Sequence, residues 1–357
     1  MTPLAALLAA RIRATGPMTL ADYMADCLLH PVHGYYATRD PFGSAGDFTT
    51  APEISQMFGE LMGLCLAQAW LDQGAPAPFT LAELGPGRGT LMADILRATR
   101  AVPGCHAAAQ VVLVEASPTL RQVQRATLKD HPVAWADEVA ALPEAPLFLI
   151  ANEFFDALPI RQFTRQGEGW AETVVGLTGD ALTLGRTAPA PLAALAHRLT
   201  DTPEGGIVET CPAAAPIMAR IGGLIARRGG AALVIDYGDW RSRGDTFQAM
   251  QGHAFTDPLA APGEADLTAH VDFEALAQAA APARASRMLE QGLLLRRLGI
   301  DARAERLARS LAAASLASHL AAYHRLTDSH EMGSLFKALA IHPAHTQPPP
   351  GFDAQDA

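Results

Sequence analysis

The stretch Thr80-Leu81-Ala82-Glu83-Leu84-Gly85-Pro86-Gly87-Arg88-Gly89-Thr90-Leu91-Met92 holds the first residues whose types and spacing could do chemistry. Apolar residues run up to an acid, glycines follow at alternate positions, and a helix-like pattern starts at once. Glycine serves where backbone must turn sharply or a ligand must come close to it. The helix behind such a turn aims unpaired N–H groups at whatever sits over it. The spacing is G-x-G-x-G, not the G-x-G-x-x-G of dinucleotide folds. Glu83, two positions ahead of the first glycine, would disfavour a pyrophosphate and favour a cationic or amino-bearing ligand. The plainer alternative is an ordinary strand–helix turn, so the other carboxylates must be weighed with it.

S-adenosyl-L-methionine (SAM) carries a sulfonium and an ammonium and no phosphate, and the turn resembles motif I of class I methyltransferases. Glu115 closes the apolar run Gln110-Val111-Val112-Leu113-Val114. It is placed to accept hydrogen bonds from both hydroxyls of a ribose. NAD-binding folds put an acid at the same place, so Glu115 does not separate the two cofactors. Asp137, just past Val133 to Trp135, could accept from an adenine amino group; Trp135 itself reads as core. Pro86, inside the turn, and Ser117, capping the helix after Glu115, complete the cofactor-side candidates. Asn152-Glu153-Phe154-Phe155-Asp156 leaves another apolar run, Leu147 to Ala151, where methyltransferases place the acceptor. A pair of carboxylates can hold a guanidinium bidentately and localise a lone pair on the attacking nitrogen. Asn152, Glu153 and Asp156 are the catalytic candidates. Glu209, Asp236, Tyr237 and His253 stand behind them on the substrate side. The competing reading is that Glu153 or Asp156 merely caps the next turn. No histidine has metal-ligand spacing, and no metal is expected.

These residues need elements to hold them. Strands over Phe79–Leu84, 110–115, 133–135, 147–151 and 231–238 alternate with helices over 91–101, 117–129 and 213–227. That alternation specifies a parallel doubly wound sheet, whose ligands bind beyond the carboxyl ends of the strands. Helices are expected over 4–14, 20–28, 54–71, 191–199, 266–281 and 304–326, and strands over 206–211, 284–289 and 335–341. Residues 160–184 read as an antiparallel hairpin insertion and the proline-rich end from His342 as a frayed tail. The expected organisation is an N-terminal helical and loop extension covering the site (1–75), a methyltransferase domain (76–345) inserted at about 160–210 and 240–265, and a flexible tail (346–357).

Composition sets outer bounds. The chain has 357 residues, 49% of them hydrophobic, and a formal charge of −10, against the basic footprint that nucleic-acid binding needs. It has no apolar run long enough to span a bilayer. Its four cysteines form no C-x-x-C pair, as reduced cytosolic thiols would not. The first 13 residues read as a helix rather than a transit peptide, which favours a bacterial cytoplasmic setting.

Several segments follow one pattern: His30-Pro31 to Tyr36, Gly46-Asp47-Phe48-Thr49, Glu53-Ile54-Ser55-Gln56-Met57-Phe58-Gly59-Glu60, Glu83 to Leu91, Ala151 to Pro159, Asp236-Tyr237-Gly238, Asp266 to Phe273 and Phe336-Lys337. In order, and over nearly the whole chain, they resemble the MidA-like SAM-dependent methyltransferases. That family includes the mitochondrial arginine methyltransferase needed for respiratory complex I assembly. The resemblance implies a class I methyltransferase (Rossmann-like) fold with SAM as cofactor. In mitochondrial-matrix members it implies symmetric dimethylation of an arginine on a complex I subunit. By motif, Glu83, Gly85, Gly87, Gly89 and Glu115 would hold SAM, Gly46, Asp47, Phe48 and Thr49 would close over it, and Asn152, Glu153 and Asp156 would line the transfer site. Thr50-Ala51-Pro52 departs from the expected Thr-Ser-Pro, so Ala51 has no assigned role. The alternatives are N- or O-methylation of a small molecule and a non-catalytic SAM-binding assembly factor. An NAD-dependent oxidoreductase is disfavoured by the glycine spacing and by Glu83.

Overall fold

The apolar runs form one sheet in the computed structural model, which describes residues 2–38 and 50–355. Its main strands are β1 (Phe79–Leu84), β2 (Ala109–Val114), β3 (Val133–Ala136), β4 (Leu147–Asn152), β5 (Gly230–Asp239) and β6 (Phe336–His342). Their spatial order is β3-β2-β1-β4-β5-β6. Neighbours are parallel except β6, which runs antiparallel to β5. The chain enters at β1, builds outward through β2 and β3, and returns to the other side of β1 as β4. The order reverses there, which opens the ligand crevice at the carboxyl ends of β1 and β4.

The strands read as continuous apolar runs because both faces are covered. Phe79, Leu81, Phe148, Ile150, Leu233 and Ile235 pack on one side with Met62, Leu66 and Ile95 from the helices Gln56–Asp72 and Thr90–Thr99. Ala82, Leu84, Leu147, Leu149, Ala232 and Val234 pack on the other with Met218, Ile221 and Ile225 of the helix Ala214–Arg228. Gly63 lets the first two helices touch: a Cβ there would lie 2.9 Å from the Ile95 Cα. The helix behind the glycine turn is thereby clamped to the sheet.

The inserted region is larger than the hairpin expected for 160–184. Arg161–Gln166, Gly169–Thr178 and Ala181–Arg186 form a meander, joined by Ile207–Thr210 and, from the N-terminus, Met18–Thr19. The helices Pro3–Thr15 and Leu20–Leu29 share a core with this sheet through Leu8, Tyr23, Met24, Ile160 and Val175. A separate small sheet is made by Gln248–Gln251, Ala254–Thr256 and Asp266–Thr268.

Four further expectations need correcting. The helix expected over 304–326 is two, Ile300–Ala308 and Ala313–Thr327, broken at 309–312. The helix expected from Asp266 begins at Phe273, because Asp266–Thr268 pairs with Gln248–Gln251 and Asp272 supplies the N-cap, accepting from the Ala275 N–H at 2.9 Å. The strand expected at 284–289 is two short pieces, Arg284–Ala285 and Leu289–Glu290, both paired with β6. The tail is not frayed over its described part. Phe352 is buried in the main core, and Arg297 donates to the Gly351 carbonyl at 3.0 Å and the Asp353 carboxylate at 2.7 Å. Among the described residues no helix is long and apolar enough to cross a membrane.

Candidate active site

The turn after β1 needs its glycines. Gly85, Gly87 and Gly89 have φ of 57°, 51° and 81°, in the left-handed region that residues with a Cβ avoid. A Cβ on Gly85 would also meet the Phe154 ring at 2.9 Å. The Gly85 N–H donates to the Val114 carbonyl at 3.1 Å and the Gly89 N–H to the Pro86 carbonyl at 2.7 Å, so Pro86 sets the turn that Gly89 closes. Glu83, at the end of β1, is 3% exposed. It accepts from the Met92 N–H, while its Oε2 is buried with no partner among the described residues. Burial pushes its carboxyl up to about 8, a smaller part coming from Glu115. A carboxylate held this way gains most from a cation placed against it.

Glu115 leaves β2 buried. Its Oε1 accepts from the Ser117 N–H at 2.7 Å and its Oε2 from Gln124 Nε2 at 3.2 Å. Burial raises its pKa and these donors hold it down. Ser117 caps the helix Pro118–Thr127, accepting from the Leu120 N–H at 3.4 Å, and donates to the Tyr36 carbonyl at 3.4 Å. Gln124 was not singled out from sequence, yet it ties this side together. Fully buried, it donates to the Gly87 carbonyl at 2.8 Å and to Glu115, and accepts from Trp135 Nε1 at 2.8 Å. Asp137 is not part of this cluster: it is exposed and paired with Arg121 at 2.6 Å.

At the end of β4 the chain makes a strained turn. Glu153 has φ of 52°, rare for a residue with a side chain. Such strain persists only where surrounding contacts fix it, and here they do. The Asp236 carboxylate accepts from the N–H groups of Phe154, Phe155 and Asp156 at 3.2, 3.0 and 3.3 Å, and from its neighbour Tyr237 at 3.0 Å. Asp236 is therefore the turn's backbone clamp rather than a group facing a substrate. Glu153 Oε1 accepts from Asn152 Nδ2 at 2.9 Å and from the Ala51 N–H at 3.0 Å. The backbone at Ala51 thus serves the site although its side chain is fully buried. Burial pushes Glu153 up to about 7, with Asp156 adding to the rise. Burial likewise pushes Asp156 up to about 6, held back by a hydrogen bond from the Tyr237 hydroxyl. Asp156 Oδ1 and Asn152 Oδ1 are buried without a partner among the described residues.

Thr50, Glu53, Glu83, Gly85, Gly87, Arg88, Asn152 and Glu153 line one recess at the β1–β4 reversal. Glu53 accepts there from the Thr90 hydroxyl at 2.5 Å. Tyr36 reaches over from the N-terminal segment and donates to both Asp266 oxygens, at 3.0 and 3.1 Å. Two substrate-side candidates lie elsewhere. Glu209 accepts from Gln162 and from the Thr246 backbone, both at 3.0 Å, and from the Thr246 hydroxyl, which binds it to the inserted sheet. His253 sits exposed at a hairpin turn with φ of 61°. Gly46, Asp47, Phe48 and Thr49 lie outside the described residues. No group of three or more His, Cys, Asp or Glu among the described residues could hold a metal ion.

Comparison with known proteins gives one picture. The family model for S-adenosyl-L-methionine-dependent methyltransferases matches residues 61–289. The mitochondrial protein arginine methyltransferase NDUFAF7 of Bos taurus is 37% identical over 370 residues, covering 96% of this chain and 84% of that protein. The Homo sapiens protein of the same name is 36% identical with the same coverage. A crystal structure from Burkholderia thailandensis with bound S-adenosyl-homocysteine superposes with a TM-score of 0.81 and 31% identity, over 98% of this chain and 92% of that one. A native crystal structure from the same organism gives 0.80 and 32%, with the same coverage.

Proposed function

We propose that this chain, which belongs to the family of S-adenosyl-L-methionine-dependent methyltransferases, methylates an arginine side chain of another protein. The cofactor fits the residues present: Glu83 Oε2, buried with no partner among the described residues, suits a cation, and Glu83, Gly85 and Gly87 line one recess. Glu83, Gly85, Pro86, Gly87 and Gly89 would hold the amino-acid end, and Glu115 with Ser117 the ribose. When bound, SAM supplies an electrophilic methyl group on a sulfonium.

The observation that carries the acceptor reading is the carboxylate pair of the Asn152–Asp156 turn. Glu153 and Asp156 are both raised by burial, and Asp156 Oδ1 lacks a partner among the described residues. A guanidinium stays charged at any working pH and offers a planar fork of donors that matches two carboxylates. Glu153 and Asp156 would hold it, Asn152 would fix Glu153, and Tyr237 would fix Asp156. Orientation is the main contribution, since reacting atoms held in line gain most of what catalysis requires here. With its pKa near neutrality, Glu153 is suited to take the proton that the guanidinium nitrogen sheds as its new bond to carbon forms.

By family resemblance, the first acceptor to try is a subunit of respiratory complex I, with symmetric dimethylarginine as product. The cytoplasm is the compartment we propose; the four cysteines are free thiols. The test is incubation with methyl-labelled SAM and candidate acceptors, with the labelled residue located by mass spectrometry. Label on arginine supports the reading; label exclusively on other residues or on small molecules rejects it.

A further inference from the structure

Between the inserted sheet and the helix Phe273–Ala279 lies a cavity of about 440 Å³. That is within the range of roughly 300–1,000 Å³ usual for ligand pockets. Its inner wall is built from Phe155, Ile160, Leu195, Val208 and Leu276, all nearly fully buried. Its mouth is edged by Ala194, Ala215 and Ala275, exposed small residues from three separate elements.

The charged groups on the wall are already spent. Arg198 donates to the Ser242 carbonyl at 2.8 Å and to Asp201 at 3.0 Å. Asp272 accepts from the N–H groups of Ser242 and Ala275, both at 2.9 Å. Glu274 is held by Arg241 at 2.7 and 2.8 Å, and Glu209 by Gln162 and Thr246. Deeper in, an occupant would meet carbon, the Cys211 thiol and the His270 ring, which burial disposes to stay neutral; His197, Thr210 and Gln278 also line the cavity, His197 and Gln278 from its exposed side. A charged ligand would find Arg198, Glu209, Asp272 and Glu274 already paired, whereas an apolar one would lose only water.

The cavity adjoins the acceptor turn by two routes. Phe155 precedes Asp156 in sequence and forms part of the wall. The His270 ring packs edge-on against Tyr237 at 5.3 Å, and the Tyr237 hydroxyl bonds Asp156. We propose that this cavity receives an uncharged apolar side chain of the acceptor protein, close in sequence to the methylated residue. The proposal rests on the protein-acceptor reading above and adds a requirement for an apolar neighbour.

The experiment measures fluorescence anisotropy of labelled short peptides with the full chain saturated with S-adenosyl-homocysteine. The peptides combine arginine or glutamine at the acceptor position with leucine or serine at the flanking positions. Leucine peptides should bind the natural protein at least about tenfold more tightly than serine peptides, as burial of a Leu side chain allows. Ala275→Trp and Ala215→Trp, which fill the mouth, should bring that ratio to about twofold or less with SAM affinity unchanged. No preference for leucine in the natural protein, or a preference surviving in both variants, overturns the proposal. Failure of the arginine reading looks different: the leucine preference persists while arginine and glutamine peptides bind equally.

Discussion

Glu83 makes SAM affinity a function of pH. Burial opposes its charge, with Glu115 adding to the rise, and pushes its pKa up to about 8; Oε2 has no partner among the described residues. A bound cation favours the ionised form, so binding should expel a proton wherever the free carboxyl is mostly protonated. Each pH unit below the pKa then costs about tenfold in affinity, or ~1.4 kcal/mol. Between pH 5.5 and 7.5, below where the ligand's own ammonium titrates at roughly 7.7–8.0, the dissociation constant should fall by about 100-fold. The assay is calorimetric titration with SAM across that window, in two buffers of different ionisation enthalpy, so that proton release is read directly. Glu83→Gln should bind weakly and lose most of the slope. An affinity constant across the window, or an unchanged slope in Glu83→Gln, would refute the reasoning. The same group sets a stability trend of definite sign. Its folded-state pKa is raised above the ordinary 4.5, so its contribution is fully present below pH 4.5 and is lost as pH rises through about 8. The ligand-free protein should therefore lose melting temperature relative to Glu83→Gln over that range, and SAM should restore it.

Other expectations follow from single contacts. Glu153→Gln should keep SAM affinity and lose turnover by about 100-fold or more; unchanged turnover in a label-transfer assay would remove Glu153 from the reaction. Gly85→Ala should abolish SAM binding and lower stability by about 1–2 kcal/mol in chemical denaturation, since it combines a left-handed φ of 57° with a contact of 2.9 Å to Phe154. Tyr237→Phe removes the hydrogen bond that holds Asp156 down at about 6. The acid limb of the pH–rate profile should move up by about 0.5–1 unit, as loss of one such bond implies; an unmoved limb would show that Asp156 does not govern it.

The sheet could be read from sequence because its strands are buried on both faces, so apolar runs mark them without ambiguity. The glycine turn and the Asn152–Asp156 segment were legible for a related reason: polar residues at the tips of apolar strands converge on one rim. What stayed hidden depended on contacts between distant parts of the chain. Gln124 looks like any polar helix residue, and only folding brings it to Gly87, Glu115 and Trp135. Asp236 stands at a strand tip, but its side chain turns inward to the 154–156 backbone. Glu209 and His253 lie outside the recess at the β1–β4 reversal, Glu209 tied into the inserted sheet on the wall of the second cavity and His253 exposed at a hairpin turn. The missing hydroxyl at Ala51 costs no contact seen here, because the backbone N–H makes the bond to Glu153. The proline-rich composition of the tail hides its anchors, the buried Phe352 and the bonds of Arg297 to Gly351 and Asp353.

The most direct test is transfer of labelled methyl from SAM to purified complex I subunits, followed by mass spectrometry of the labelled peptides. The account predicts methylated arginine with the natural protein and little with Glu153→Gln at saturating SAM. Label on a different residue type, or equal labelling by both proteins, would contradict it.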